Sequence, residues 1–202
     1  MPRPEAQDSY HLRGRRGLTK EVLLRTPLNE YENAKLEAGL KVLLSGKIYT
    51  ARDAAHKRLV QLIKEGKSLP FDPRGQVIYY VGPTPEKPGG IIGSAGPTTS
   101  GRMDPYTPTL LDAGVKGTIG KGQRSREVID AIIRNKAVYF AATGGAAVLI
   151  AKSIKSSELI AYDDLGPEAI RELVIENFPC IVAIDSRGRN LYEEGVRKYQ
   201  IP

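Results

Sequence analysis

The amino-acid sequence predicts a mixed α/β fold, and three observations predict it. Short apolar runs rich in Val, Ile and Tyr (residues 41–50, 76–81 and 137–142) alternate with segments whose apolar residues recur at helical spacing. Toward the C-terminus, the strand-like runs 159–162, 172–176 and 180–185 follow one another with no helical pattern between them. Helices packed against a sheet with both parallel and adjacent strands suit that order better than a purely doubly wound fold. Finally, 202 residues with 41% hydrophobic and 26% charged side chains are enough to bury a core, and the composition is that of a folded domain.

The element order follows from local signals. A first strand is expected from Glu21, and residues 28–40 are mixed and polar. The run 41–50 reads as a buried strand bending at Gly46. A helix over 53–65 places Ala55, Leu59, Leu62 and Ile63 on one face and stops at Gly66. The strand 76–81 leads through a Pro/Gly-rich loop to a short strand at 91–94. A helix starting at Pro105 or Tyr106 and ending near Ala113 is expected, with Asp104 as its N-cap. The strand 117–120 precedes a helix capped by Ser125, with Val128, Ile129, Ile132 and Ile133 on its buried stripe. After the strand 137–142, Gly144-Gly145 opens a helix over 146–154, and residues 186–190 read as a hairpin turn. We divide the chain into a basic N-terminal extension at 1–19, expected to be mobile, and one domain over 20–202.

Composition excludes several function classes. No apolar run approaches the roughly 18 to 20 residues that span a bilayer. The start carries acid and proline without an apolar stretch, unlike a secretory signal. The expected location is the cytoplasm. One cysteine, Cys180, cannot form an intrachain disulfide or an all-cysteine metal site, and it reads as a small buried hydrophobe. No metal-binding set is expected within the chain, and His56 is assigned a structural or supporting role. The net charge of +7 is partly local, since residues 11–20 hold four cations and no acid. Aromatic content of 6% and the absence of a recognisable module argue against nucleic acid.

The most informative segment is Ser94-Ala-Gly-Pro-Thr-Thr-Ser-Gly-Arg-Met-Asp104. Pro97 fixes its own φ, and Gly96 and Gly101 permit backbone conformations closed to other residues. Such a loop can bring hydroxyls, free N–H groups and a guanidinium to one small anion. An ordinary turn with a solvated arginine reads equally well from these residues alone. Arg52, Arg102 and Lys121 each follow a strand-like segment or turn, where open sheets place ligand contacts. Three such cations suit a dicarboxylate better than a neutral metabolite. Thr98 and Thr99 supply hydroxyls, which either act near that anion or merely close a turn. Gly144-Gly145 reads as an anion-binding helix start or as a tight helix–strand contact.

Taken in order, Leu44-Ser-Gly-Lys-Ile-Tyr-Thr-Ala-Arg-Asp-Ala-Ala-His-Lys-Arg58, Gly96-Pro-Thr-Thr-Ser-Gly-Arg-Met-Asp104, Gly120-Lys-Gly-Gln-Arg124 and Gly144-Gly-Ala-Ala147 resemble the β subunit, or C-terminal domain, of class I iron–sulfur fumarate hydratases. Leu165-Gly-Pro-Glu-Ala-Ile170 and Phe178-Pro-Cys-Ile-Val-Ala-Ile-Asp185 extend the likeness over residues 20–195. The resemblance implies a swivelling β/β/α domain working against a larger α subunit, within a homo- or hetero-oligomer. It also implies that this partner carries a 4Fe–4S cluster on its own cysteines, with one iron acting as a Lewis acid. Arg52, Arg102 and Lys121 would then bind substrate carboxylates, and Thr98 would be the candidate base, with Thr99 beside it. The implied reaction is reversible hydration of fumarate to (S)-malate. Two departures stand out: a slightly shorter stretch between Arg102 and Lys121, and Gln123 where the family usually has asparagine. The L(+)-tartrate dehydratase β subunit shares the Gly-Pro-Thr-Thr segment and is the nearest rival. A non-catalytic basic interaction module is the alternative from another class.

Overall fold

Val77, Ile78 and Tyr79 are all fully buried. A strand with no face left for water must be covered on both sides. The computed structural model, which describes residues 11–13, 21–86, 88–142 and 147–199, shows how. Eight strands form one sheet: β1 (His11–Arg13), β2 (Glu21–Arg25), β3 (Lys41–Thr50), β4 (Val77–Tyr79), β5 (Gly117–Gly120), β6 (Val138–Ala141), β7 (Ile154–Ala161) and β8 (Ile170–Ile184). Strands β2 to β6 run parallel in sequence order, and β8 pairs antiparallel with β6, β7 and β3. Because β8 contacts both β6 and β3, the pairings β3-β4-β5-β6-β8-β3 close into a ring. Ile181 marks the closure, facing Ala141 on one side and Lys41 on the other.

Period-two alternation splits the core in two. Leu44, Ile48, Val77, Tyr79, Ile119, Val138, Phe140, Leu173 and Phe178 form one apolar cluster. Their strand neighbours Tyr49, Ile78, Tyr80 and Tyr139 pack into a second. That second cluster takes in the apolar faces of helices α2 (Asp53–Lys64), α3 (Thr107–Asp112) and α4 (Arg126–Arg134), through Ala55, Leu59, Leu110, Leu111, Val128 and Ile132. The helices α1 (Glu30–Lys35), α5 (Ala147–Ser153) and α6 (Leu191–Tyr199) complete the chain.

The mixed α/β expectation holds, and so do β3, α2, β5, α4 and β6, with Ser125 capping α4 by accepting from the Val128 N–H. Several boundaries differ. Regular backbone begins before Glu21, because His11–Arg13 pairs with the outer edge of β2. The helix α1 lies in a stretch read only as polar, started by Asn29, whose side chain accepts from the Glu32 N–H. Residues 91–94 form no strand. Instead, the Gly93 and Ser94 N–H groups turn back onto Thr84. The runs 172–176 and 180–185 are parts of one strand, β8. Phe178-Pro-Cys suggested a break, but β3 pairs with β8 on both sides of a register shift at Leu44/Gly46. Asn177, with φ +53, takes up the shift and donates its N–H to Ser45 Oγ at 3.0 Å. Residues 186–190 do turn, but they lead into α6 rather than a second strand. Gly144-Gly145 and most of the basic extension lie outside the described residues.

Gly46 is the residue that lets β3 bend. Its φ is +112, and a Cβ there would collide with the Thr26 hydroxyl and sit 2.9 Å from the Thr26 carbonyl oxygen. Gly46→Ala is therefore expected to cost about 2 to 4 kcal/mol of stability. Urea denaturation measures it, and a cost under about 1 kcal/mol would show that the bend tolerates a side chain.

Candidate functional site

Parallel strands deliver their carboxyl ends to one side of the sheet, and the loops that follow meet there. β3 ends at Thr50 and leads to Arg52, with the Ala51 N–H donating to the Tyr79 carbonyl at 3.2 Å. β4 continues through Tyr80, whose N–H donates to Ile119 at 2.9 Å. The threonine loop is then threaded into the sheet. Thr98 N–H donates to the Tyr80 carbonyl at 2.7 Å, Lys121 N–H to Thr98 at 3.3 Å, and Ser100 N–H to Lys121 at 2.8 Å. Thr99 and Lys121 thus face each other as a parallel bridge between the ends of β4 and β5.

Arg102 joins this group through Asp53. Its Nε donates to Asp53 Oδ1 at 3.0 Å, and its Nη2 lies 2.9 Å from Oδ2. Arg52 stands beside the same carboxylate, with Nε 3.9 Å from Oδ2, and its Nη2 is 3.6 Å from Glu168 Oε1. Glu168 also accepts from the Ala54 N–H at 2.9 Å, which satisfies one free donor at the start of α2. Gly82 leaves room for the Arg52 guanidinium, since a Cβ there would collide with Arg52 Nη1. The structure therefore gathers Arg52, Arg102, Lys121, Thr98 and Thr99 on one side, interleaved with two carboxylates. Among the described residues, the Lys121 ammonium makes no ion pair and the hydroxyls of Thr98 and Thr99 make no hydrogen bond. Among the described residues, neither hydroxyl closes the turn.

Asp53, Glu168, Asp104 and Arg124 were missed as site residues. Asp104 does not cap α3, which starts three residues later. It instead accepts from Arg124 Nε at 2.7 Å and from the Ser125 N–H at 2.6 Å. A short 3₁₀ turn, Ser100–Met103, occupies the loop, and neither Gly96 nor Gly101 adopts the left-handed backbone that their presence suggested. The only sequence signal for Asp53 was its position directly after Arg52, at the start of a helix.

His56 lies within the core beneath Arg52. It is fully buried, and its ring Nδ1 donates to the Arg52 carbonyl at 2.9 Å, which places the proton on Nδ1. Its ring meets Tyr80 edge-on at 5.2 Å. Burial lowers its pKa to about 4, against the pull of the Arg52 carbonyl, and nearby Arg124 adds to the lowering. Cys180 is free and buried, and burial pushes its thiol pKa up. Such a thiol, held inside the sheet and reluctant to ionise, does not fit cluster ligation. Among the described residues, no group of three or more His, Cys, Asp or Glu side chains is arranged to hold a metal ion. No described helix is long and apolar enough to cross a membrane.

A closed mixed sheet that brings Arg52, Arg102 and Lys121 near Thr98 and Thr99 at the ends of its parallel strands defines the class as a mixed α/β domain. A family model described as Fumarase C-terminus matches residues 1–195, and the chain belongs to that family. It is 40% identical over 177 residues to a provisionally named L(+)-tartrate dehydratase subunit beta of Methanocaldococcus jannaschii, covering 85% of this chain and 91% of the relative. It is 38% identical over 186 residues to the anaerobic class I fumarate hydratase of Escherichia coli, covering 90% of this chain and 34% of that protein. Fumarate hydratase 2 of Leishmania major is 34% identical over 178 residues, covering 86% of this chain and 31% of the relative. The chain thus spans about a third of the length of these fumarate hydratases and nearly all of the dehydratase subunit.

The buried histidine makes a pH prediction. A free histidine titrates near 6.5 and the folded one near 4, so the unfolded chain binds this proton more tightly. The contribution is complete above about pH 6.5 and is lost as the pH falls through 4, by about 3 kcal/mol. Urea stability of wild type minus that of His56→Gln, taken from pH 7 to 4, should fall by this amount. Parallel curves would show that His56 titrates freely.

Proposed function

We propose that this chain is the substrate-cradle subunit of a hydro-lyase that interconverts fumarate and (S)-malate. The supporting observation is the meeting of Arg52, Arg102 and Lys121 with Thr98 and Thr99 at one end of the parallel strands. Dehydration of malate removes a proton from the carbon beside one carboxylate and expels hydroxide from the next carbon. Negative charge then builds on that carboxylate as its carbon loses the proton, and fixed cations stabilise it more than they stabilise the ground state. Lys121, which makes no ion pair among the described residues, has its charge available for this. Arginine's planar fork suits a carboxylate held in one orientation. Thr98, half-buried and with no hydrogen bond from its hydroxyl among the described residues, is the proposed base, and Thr99 stands beside it. A threonine takes a proton only if its own is relayed away or its alkoxide is favoured, and the surrounding cations favour the alkoxide.

The reading assigns the 4Fe–4S cluster to a partner α subunit, because this chain offers no suitable thiolates. The cluster supplies Lewis-acid chemistry at the substrate hydroxyl, while the residues named here bind, orient and take the proton. The expected setting is the cytoplasm and the expected assembly a hetero-oligomer. L(+)-tartrate is the second reading, favoured by the 91% coverage of the Methanocaldococcus jannaschii relative.

Anaerobic co-expression with a cysteine-bearing partner, followed by parallel fumarate-hydration and tartrate-dehydration assays, tests both readings. The expected result is a co-purifying, iron-dependent complex faster with fumarate. Preference for tartrate would select the second reading, and vigorous turnover by this chain alone without iron would sink the division of labour. Arg102→Lys in the complex should lower kcat/KM by about 2 to 4 kcal/mol, because a point charge replaces a bidentate fork. A fall of less than about tenfold would remove Arg102 from carboxylate binding.

A further inference from the structure

Asp53 touches two of the proposed carboxylate-binding arginines and has no role in the chemistry above. It is the first residue of α2, where the partial positive charge of the helix start favours a carboxylate. Oδ1 and Oδ2 take one side of the Arg102 guanidinium, the edge made by Nε and Nη2, at 3.0 and 2.9 Å. Among the described residues, Nη1 on the far side makes no hydrogen bond or ion pair. Asp53 Oδ2 and Arg52 Nε lie 3.9 Å apart, and both are closed to solvent without an aligned hydrogen-bond partner. A ligand therefore does not reach Oδ2. Asp53 belongs to the wall of the cradle, with Oδ2 turned onto the arginines.

Arg102 needs such a tether. Its side chain is 51% exposed and projects from a four-residue 3₁₀ turn. A long side chain free in solvent samples many rotamers, and binding a carboxylate in one of them forfeits that freedom. A partner fixed at the start of a helix removes most of that loss before the ligand arrives.

We propose that Asp53 is a positioning residue, which fastens the side edge of Arg102 so that its Nη1 edge is presented to a substrate carboxylate. The assignment rests on the hydro-lyase reading. It also opposes simple electrostatics. Deleting a negative charge beside an anion site should by itself tighten binding, by about fivefold at most across water. Deleting a tether should weaken binding, and by more.

The test uses the assembled complex and four variants: Asp53→Asn, Asp53→Glu, Arg102→Ala, and Asp53→Asn combined with Arg102→Ala. KM and kcat are measured with the preferred substrate, and inhibition constants with succinate, a dicarboxylate that cannot be dehydrated. Asp53→Asn should raise KM and the succinate constant about tenfold or more, while kcat changes by less than about threefold. The urea midpoint should fall only slightly, by the loss of the carboxylate at the helix start. Asp53→Glu, which keeps a carboxylate, should recover part of the binding. In the Arg102→Ala background, Asp53→Asn should no longer weaken succinate binding. An unchanged or tighter succinate constant in Asp53→Asn, or full additivity with Arg102→Ala, would overturn the role. A wild-type complex that neither turns over nor binds succinate would bring down the hydro-lyase reading and this inference with it. An active wild type with an indifferent Asp53→Asn would sink the positioning role alone.

Discussion

A guanidinium with no access to water holds together the loop of Thr98–Asp104 and the loop of Lys121–Ser125. The Arg124 side chain is 0% exposed and lies between the rings of Tyr80 and Tyr139, with its central carbon 5.3 and 5.0 Å from their centroids. Nε donates to Asp104 Oδ1 at 2.7 Å and Nη2 to Thr107 Oγ1 at 2.8 Å, while Nη1 reaches Thr118 Oγ1 at 3.4 Å. A buried charge is tolerated only where counter-charge and hydrogen bonds remain in place, and losing one partner of such a pair costs about 3 to 5 kcal/mol. The ends of β4 and β5, the start of α3, the turn at 100–103 and the start of α4 are therefore fixed about one ion. Ser100 Oγ and the Gly122 carbonyl, each 2.9 Å from the Tyr139 hydroxyl, add a second fastening between the same loops. Thr98, Thr99 and Arg102 on one loop cannot shift relative to Lys121 on the other without disturbing this network.

Around that anchor the surface charges fall into a pattern. Glu168, Arg52, Asp53 and Arg102 form an alternating chain of contacts, and Lys121 stands outside it. Two arginines side by side would repel, and the interposed Asp53 makes their proximity favourable. The chain also fixes direction, because each carboxylate takes one edge of a guanidinium and leaves another. A lysine that is unpaired among the described residues, beside two oriented arginines, suits a compact dianion better than three free surface cations would.

Much of this was legible in the sequence, for identifiable reasons. Lys41–Thr50 and the stripe Val128, Ile129 and Ile132 show periodicities that survive in the fold, because burial there follows local pattern. Arg52 and Lys121 were identifiable because each follows a strand, and strand ends in parallel sheets converge. What stayed hidden depends on pairings between distant residues. Asp53 meets Arg102 across 49 positions, and Glu168 caps α2 across 114. Asp104 carries a good N-cap side chain beside a helix, but a buried guanidinium competes for it and wins. Likewise, the length of β8 could not be read through Asn177-Phe-Pro179, because β3 supplies the complementary irregularity that keeps the strand paired.

The exposure of these groups bears on the proposed partner. Thr99, Arg102 and Lys121 all lie open to solvent. In water, the attraction between an arginine and a carboxylate is screened to about 1 kcal/mol at contact, too little to shift a threonine proton or hold a carbanion-like charge. The same groups become effective when a second surface excludes water and lowers the local dielectric. A rigid half-site, fastened by Arg124 and oriented by Asp53, loses little order when such a surface closes over it. The proposed α subunit would therefore contribute more than a cluster. By covering Lys121 and the free edge of Arg102, it would turn weak surface cations into strong ones.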